Sequence, residues 1–104
     1  MLIELLRGEL TQEEYLIINN ARIIYKKLPK KIYGFVNKYK DIYLIVINWN
    51  ISKEKKIKTI LHEFAHIELH HIDRNSELYA FSIENAEDEA DKYIDFLLNN
   101  IKHV

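Results

Sequence analysis

The 104-residue sequence contains no cysteine, one proline and two glycines. Without cysteine no disulfide can staple the fold, and any metal would have to be held by histidine and carboxylate. The scarcity of proline and glycine leaves few breaks, so most of the chain is expected in regular elements. Long apolar runs are also lacking. The longest, Ile42–Ile47 with one tyrosine inside it, is too short to span a bilayer. The opening stretch, MLIELLRGELTQEE, is too acidic and too briefly apolar for a secretory signal. These absences point to a soluble cytoplasmic protein. Nearly half the residues are apolar, which excludes disorder as the overall class. The length suits a single domain over residues 1–104, with a modest core.

Net charge is −1 at pH 7, but the two signs are segregated. Arg22 to Lys58 carries eleven Lys or Arg against Asp41 and Glu54, whereas Glu63 to Asp95 carries ten acids against Arg74 and Lys92. Two solvated faces that complement each other within the fold account for this pattern. A basic patch that steers an acidic partner or nucleic acid is the sharper alternative. The basic residues are nearly all lysine, which suits bidentate base recognition poorly, and no direct nucleic-acid binding is expected.

Thr11-Gln-Glu-Glu14 has the spacing of a capping box, and Ile17, Ala21, Ile24 and Leu28 then fall on one face of a helix that Pro29 would end. The first ten residues read as a short helical turn or a loose arm. Lys31–Asn37 and Asp41–Asn48 are β-rich runs, and Asn37–Asp41 between them reads as the turn of a hairpin. The second run is more continuously apolar, which suits a central strand. Ser52 caps a helix expected to reach His71, with Ile57, Ile60, Leu61, Phe64 and Ala65 as its buried stripe. Residues 72–83 are ambiguous. A last helix is expected over residues 85–101, burying Ala86, Ala90, Tyr93, Ile94, Leu97 and Leu98. The fold class is α+β, with helices packed on a small sheet or hairpin.

His62-Glu-Phe-Ala-His66 places an HExxH pattern inside the third predicted helix. Residues i and i+4 share a helix face, so two imidazoles can reach one metal ion. Zinc is the expected ion. It acidifies a water, and Glu63, next to His62, can take that proton as the water attacks a carbonyl. A third ligand is then needed. Glu87-Asp-Glu-Ala-Asp91 on the last helix offers Glu87, with Asp91 one turn on to support a ligand histidine through its far nitrogen. Glu89 is the rival ligand, and a plain acidic helix start is the bland reading. His70 continues the face of the pair, as a cleft residue or a fourth ligand. His71 suits the helix C-terminus, and His103 the tail. Tyr79 or Tyr93 could stabilise an oxyanion, although each equally suits the core or rim.

The stretch from Ile45 to Leu98 resembles the ImmA/IrrE family of metallopeptidases. Ile45-Val-Ile-Asn48, Ile60-Leu-His-Glu-Phe-Ala-His66 with His70, Glu87-Asp-Glu-Ala-Asp91 and Leu97-Leu98 carry the likeness. Ala65 stands where glycine is common, Tyr93-Ile94 replaces Phe-Ala, and Asn99-Asn100 stands where the family has Met-Pro. The resemblance implies a zincin-like domain with the ion between the HExxH helix and the last helix. His62, His66 and Glu87 would be the ligands and Glu63 the base. It also implies limited cleavage of a cytoplasmic protein substrate, such as a DNA-binding regulator of a phage or mobile element. A zinc-stabilised module that captures such a regulator without cutting it is the alternative. A small structural or nucleic-acid-associated protein with an accidental motif is the third.

Overall fold

The computed structural model describes residues 1–69, 80–83 and 89–102, with the backbone alone at 80–83, 89, 90 and 102. Two short helices, α1 (Leu2–Leu6) and α2 (Gln12–Ile18), precede three strands, β1 (Ala21–Lys26), β2 (Ile32–Tyr39) and β3 (Ile42–Asn48). The long helix α3 (Lys53–Glu68), a strand β4 (Ala80–Ile83) and the helix α4 (Glu89–Lys102) follow. The class is α+β, as the pattern predicts.

The strands form one sheet in the order β1-β3-β2-β4. β2 and β3 make the expected hairpin, with Tyr39 opposite Ile42, so the turn closes on Lys40-Asp41 rather than on the five residues expected. Lys40 takes a φ of 55°, the left-handed conformation that tight hairpin turns demand. β3 is central, and Ile45, Val46 and Ile47 are buried in succession, as befits a strand covered on both faces. β4 runs antiparallel to β2, with Phe35 opposite Phe81. That strand occupies the end of the segment the sequence leaves ambiguous.

The helix expected to continue to Leu28 is corrected. α2 has its capping box, with Thr11 and Glu14 each bonded to the other's backbone N–H, but it stops at Ile18. Asn20 takes a φ of 53°, a left-handed turn that asparagine tolerates better than most residues. Ala21–Lys26 then pairs parallel to β3, Ala21 opposite Tyr43 and Lys26 opposite Asn48. The β-branched pair Ile23-Ile24 favours this extended course. Of the residues assigned to one helical face, Ala21 is buried, while Ile17 is 79% exposed.

α3 lies against β2 and β3. Phe64 and Ala65 are fully buried among Val36, Ile45 and Ile47, and the Phe64 ring stacks on Tyr15 of α2 at 4.2 Å. The Tyr15 hydroxyl donates to the Phe64 carbonyl at 3.2 Å. Ile60 joins this core as expected. Ile57 does not, being 52% exposed, and Leu61 is half-buried. Helix and sheet approach each other closely at Gly34. A Cβ there would stand 2.6 Å from the Val46 carbonyl and 2.9 Å from the Thr59 methyl. On the other side, α1 buries Leu2 completely, and its N–H donates to Glu68 Oε1 at 2.6 Å.

Buried Asn48 ends β3 and organises the connection between β1 and β2. Its amide donates to the carbonyls of Leu28, Pro29 and Ile32, and its Oδ1 accepts from the N–H groups of Leu28 and Asn50.

Candidate metal centre

α3 forms where expected because Ser52 accepts from the Lys55 N–H and no glycine or proline interrupts the following residues. Its described course ends at Glu68, with Leu69 as the cap. The polar residues of the HExxH pattern sit on its buried side. His62 is 6% exposed, Glu63 is completely buried and His66 is 3% exposed. A glutamate and two imidazoles under so much apolar cover are expensive to desolvate unless hydrogen bonds, an opposite charge or a metal ion offset the loss of water.

The two imidazoles converge. His62 Nε2 and His66 Nε2 are 3.0 Å apart, with the rings edge to face. α4 supplies the other contact, since Asp91 Oδ1 lies 2.7 Å from His62 Nδ1. An ionised carboxylate only accepts, so His62 Nδ1 donates, and the neutral imidazole then carries its lone pair on Nε2. Two imidazole lone pairs cannot face each other at 3.0 Å without a proton or a cation between them. Two nitrogens each about 2.0–2.1 Å from a tetrahedral ion stand roughly 3.3 Å apart, so a small rotation of either ring makes the pair a zinc bite. The donor set, neutral imidazole oriented by a carboxylate, is also what zinc favours.

Among the described residues, no group of three or more His, Asp, Glu or Cys side chains gathers as a metal cluster. Glu87, the expected third ligand, lies outside the described residues, as do His70, His71, Tyr79, Ala86 and His103. The side chains of Glu89 and Ala90 lie outside them as well. Asp91 stands where the supporting carboxylate was expected.

A second tie joins α3 to α4. The Tyr93 hydroxyl donates to Glu68 Oε2 at 2.7 Å. Burial, followed by the Glu68 carboxylate, pushes the Tyr93 phenol up to about 12. The Tyr15 phenol is raised further, chiefly by its burial. The Tyr93 hydroxyl is thus engaged with the helix end rather than directed at the imidazoles. Ile94 and Leu97 bury the inner side of α4, whereas Leu98 is 36% exposed against expectation. Glu68 escaped the sequence reading. The available signal was its position two residues beyond His66, on a helix end that α1 and α4 both reach.

Among the described residues no helix is long and apolar enough to cross a membrane. Comparison with curated proteins and with solved structures finds no match to the chain. A family model does match: the M78 peptidase model, described as the IrrE N-terminal-like domain, aligns with residues 19–96. That span takes in β1, the hairpin, the whole of α3 with its imidazole pair, and Asp91 on α4. The chain belongs to the M78 peptidase family, a family of metallopeptidases.

Proposed function

We propose that the protein is a zinc-dependent endopeptidase that makes limited cleavages in a cytoplasmic protein. A DNA-binding transcriptional regulator is the favoured substrate. The observation that carries this reading is the convergence of His62 and His66 at 3.0 Å with Asp91 behind His62. His62, His66 and Glu87 would hold the ion. Zinc supplies a Lewis acid that polarises the scissile carbonyl and favours hydroxide over water at neutral pH.

The chain's own groups do the rest. Asp91 holds the His62 ring with its Nε2 lone pair turned towards His66. Glu63 adjoins His62 on α3 and is completely buried, so its carboxylate is held close to the imidazole pair. Its carboxylate takes a proton from the attacking water and returns it to the departing amine, which closes the proton balance of hydrolysis.

Zinc content of tag-free protein, measured beside His62→Ala, tests the metal. About one ion per chain, lost in the variant, is the expected result, and no zinc after reconstitution near neutral pH overturns the reading. Glu63→Gln tests the chemistry, with zinc and partner binding kept and cutting abolished. A wild-type protein that binds zinc and its partner but never cuts it is a capture module instead.

A further inference from the structure

Around Trp49 the chain leaves an unusual surface uncovered. Trp49 is 60% exposed and Tyr25 is 43% exposed, with ring centroids 6.0 Å apart in an edge-to-face arrangement. The backbone N–H of Trp49 donates to the Lys26 carbonyl at 2.7 Å, which fixes this residue at the joined ends of β1 and β3. Lys56 of α3 extends over both rings, its Nζ 4.9 Å from the Trp49 centroid and 5.8 Å from that of Tyr25. Lys55 lies similarly over Tyr33, at 5.3 Å. Lys26 and Lys53 flank the group and are exposed.

These lysines do not serve the stability of α3. Lys53, Lys55, Lys56 and Lys58 crowd the start of a helix, where the backbone dipole already leaves positive partial charge. Among the described residues none of these lysines joins an ion pair. The lysines rest on aromatic faces instead, held in place with their ammonium groups still able to meet an anion.

We propose that Trp49, Tyr25, Lys53 and Lys56 form a docking surface for an acidic segment of a protein. Carboxylates of that segment meet the lysines, and an apolar side chain packs against the part of Trp49 that stays exposed beside Lys56. Taking that protein to be the substrate rests on the peptidase reading above. Lys56 is six residues before His62, about 9 Å along the helix axis and roughly 120° around it, so an extended stretch of several residues is enough to lead from this surface to the imidazole pair. Single-stranded nucleic acid fits less well. Bases need free ring faces on which to stack, and here lysine ammonium groups already lie over the rings.

Trp49 is the only tryptophan, so its emission reports on this surface directly. The full chain is titrated with a blocked synthetic peptide of glutamates with two phenylalanines, at low salt and with selective tryptophan excitation. A saturable change in emission is expected. The Lys53→Glu/Lys56→Glu double variant should bind about tenfold more weakly or worse. Raising salt from about 0.05 to 0.5 M should weaken binding comparably, because exposed charges are screened. Circular dichroism and zinc content of the double variant should match the wild type. No emission change, or tighter binding of an oligothymidylate than of the peptide, overturns the proposal. Peptide binding by a protein that holds no zinc and cuts nothing would refute the peptidase reading and leave this surface standing.

Discussion

Replacing Gly34 by alanine pits two effects of known size against each other. Removing a glycine restricts the unfolded chain, which by itself stabilises by about 0.4–1 kcal/mol. In the folded state the new methyl would meet the Val46 carbonyl at 2.6 Å, the Thr59 methyl at 2.9 Å and Ile47 Cδ1 at 3.2 Å. The first obstacle is backbone in the central strand and cannot rotate away. Relief must come from a shift of β2 against β3 as well as from lifting α3, at the cost of about 1–3 kcal/mol usual for overpacking a core. The steric term wins. Gly34→Ala is expected to lose about 1–2 kcal/mol net, measured by urea unfolding followed by far-ultraviolet circular dichroism, and to melt roughly 10 °C lower. Thr59→Ser removes the methyl while keeping the hydroxyl that donates to the Lys55 carbonyl at 2.7 Å. In the Gly34→Ala background it should restore about 0.5–1 kcal/mol, a coupling that a double-mutant cycle isolates. A Gly34→Ala protein as stable as the parent would refute the claim that this contact sets the height of α3 above the sheet.

Asp91→Ala removes the acceptor at His62 Nδ1. Zinc affinity, read by competition with a chelating indicator, should fall about 10–100-fold, and unchanged affinity would dismiss Asp91 as a positioning group. The Tyr93 phenol is held up at about 12 in the folded protein against 10 for the ordinary group. Above pH 10 the unfolded chain therefore loses a proton that the folded chain keeps, so stability present below pH 10 declines as pH rises towards 12. Tyr93→Phe should flatten that decline between pH 10 and 12 in urea unfolding, and an identical slope in both proteins would contradict the assignment.

The imidazole pair was legible because its geometry is local. The i, i+4 spacing on a well-capped helix fixes where His62 and His66 point before any tertiary contact forms. Asp91 was legible from its place one turn beyond Glu87 on an acidic helix face, and its carboxylate does lie against His62. The strand β1 was not. Ile17, Ala21, Ile24 and Leu28 fit a helical stripe, and only the partner strand 22 residues away decides the matter in favour of extended chain. The Asn19-Asn20 pair was the local hint, since asparagine ends helices by turning left-handed. Ile57 failed for the opposite reason. Its period suits the buried stripe, but burial along α3 begins only at Thr59 and Ile60, and no periodicity reports where along a helix its cover starts.

The strand order has a consequence for synthesis of the chain. β1 and β2 are successive in sequence, yet β3 lies between them, so residues 27–31 must bridge a gap one strand wide across the end of β3. That bridge is roughly 10 Å. The groups that hold it, the amide and carbonyl of Asn48, belong to β3 itself. Until residues 42–48 leave the ribosome, β1 and β2 have only each other to pair with, through a connection short enough for a direct hairpin. At about 5–20 residues per second that interval lasts on the order of a second, ample for a wrong hairpin to form. Wherever that hairpin forms, β3 must part β1 from β2 to reach the native order, and Asn48 is the latch that closes behind it.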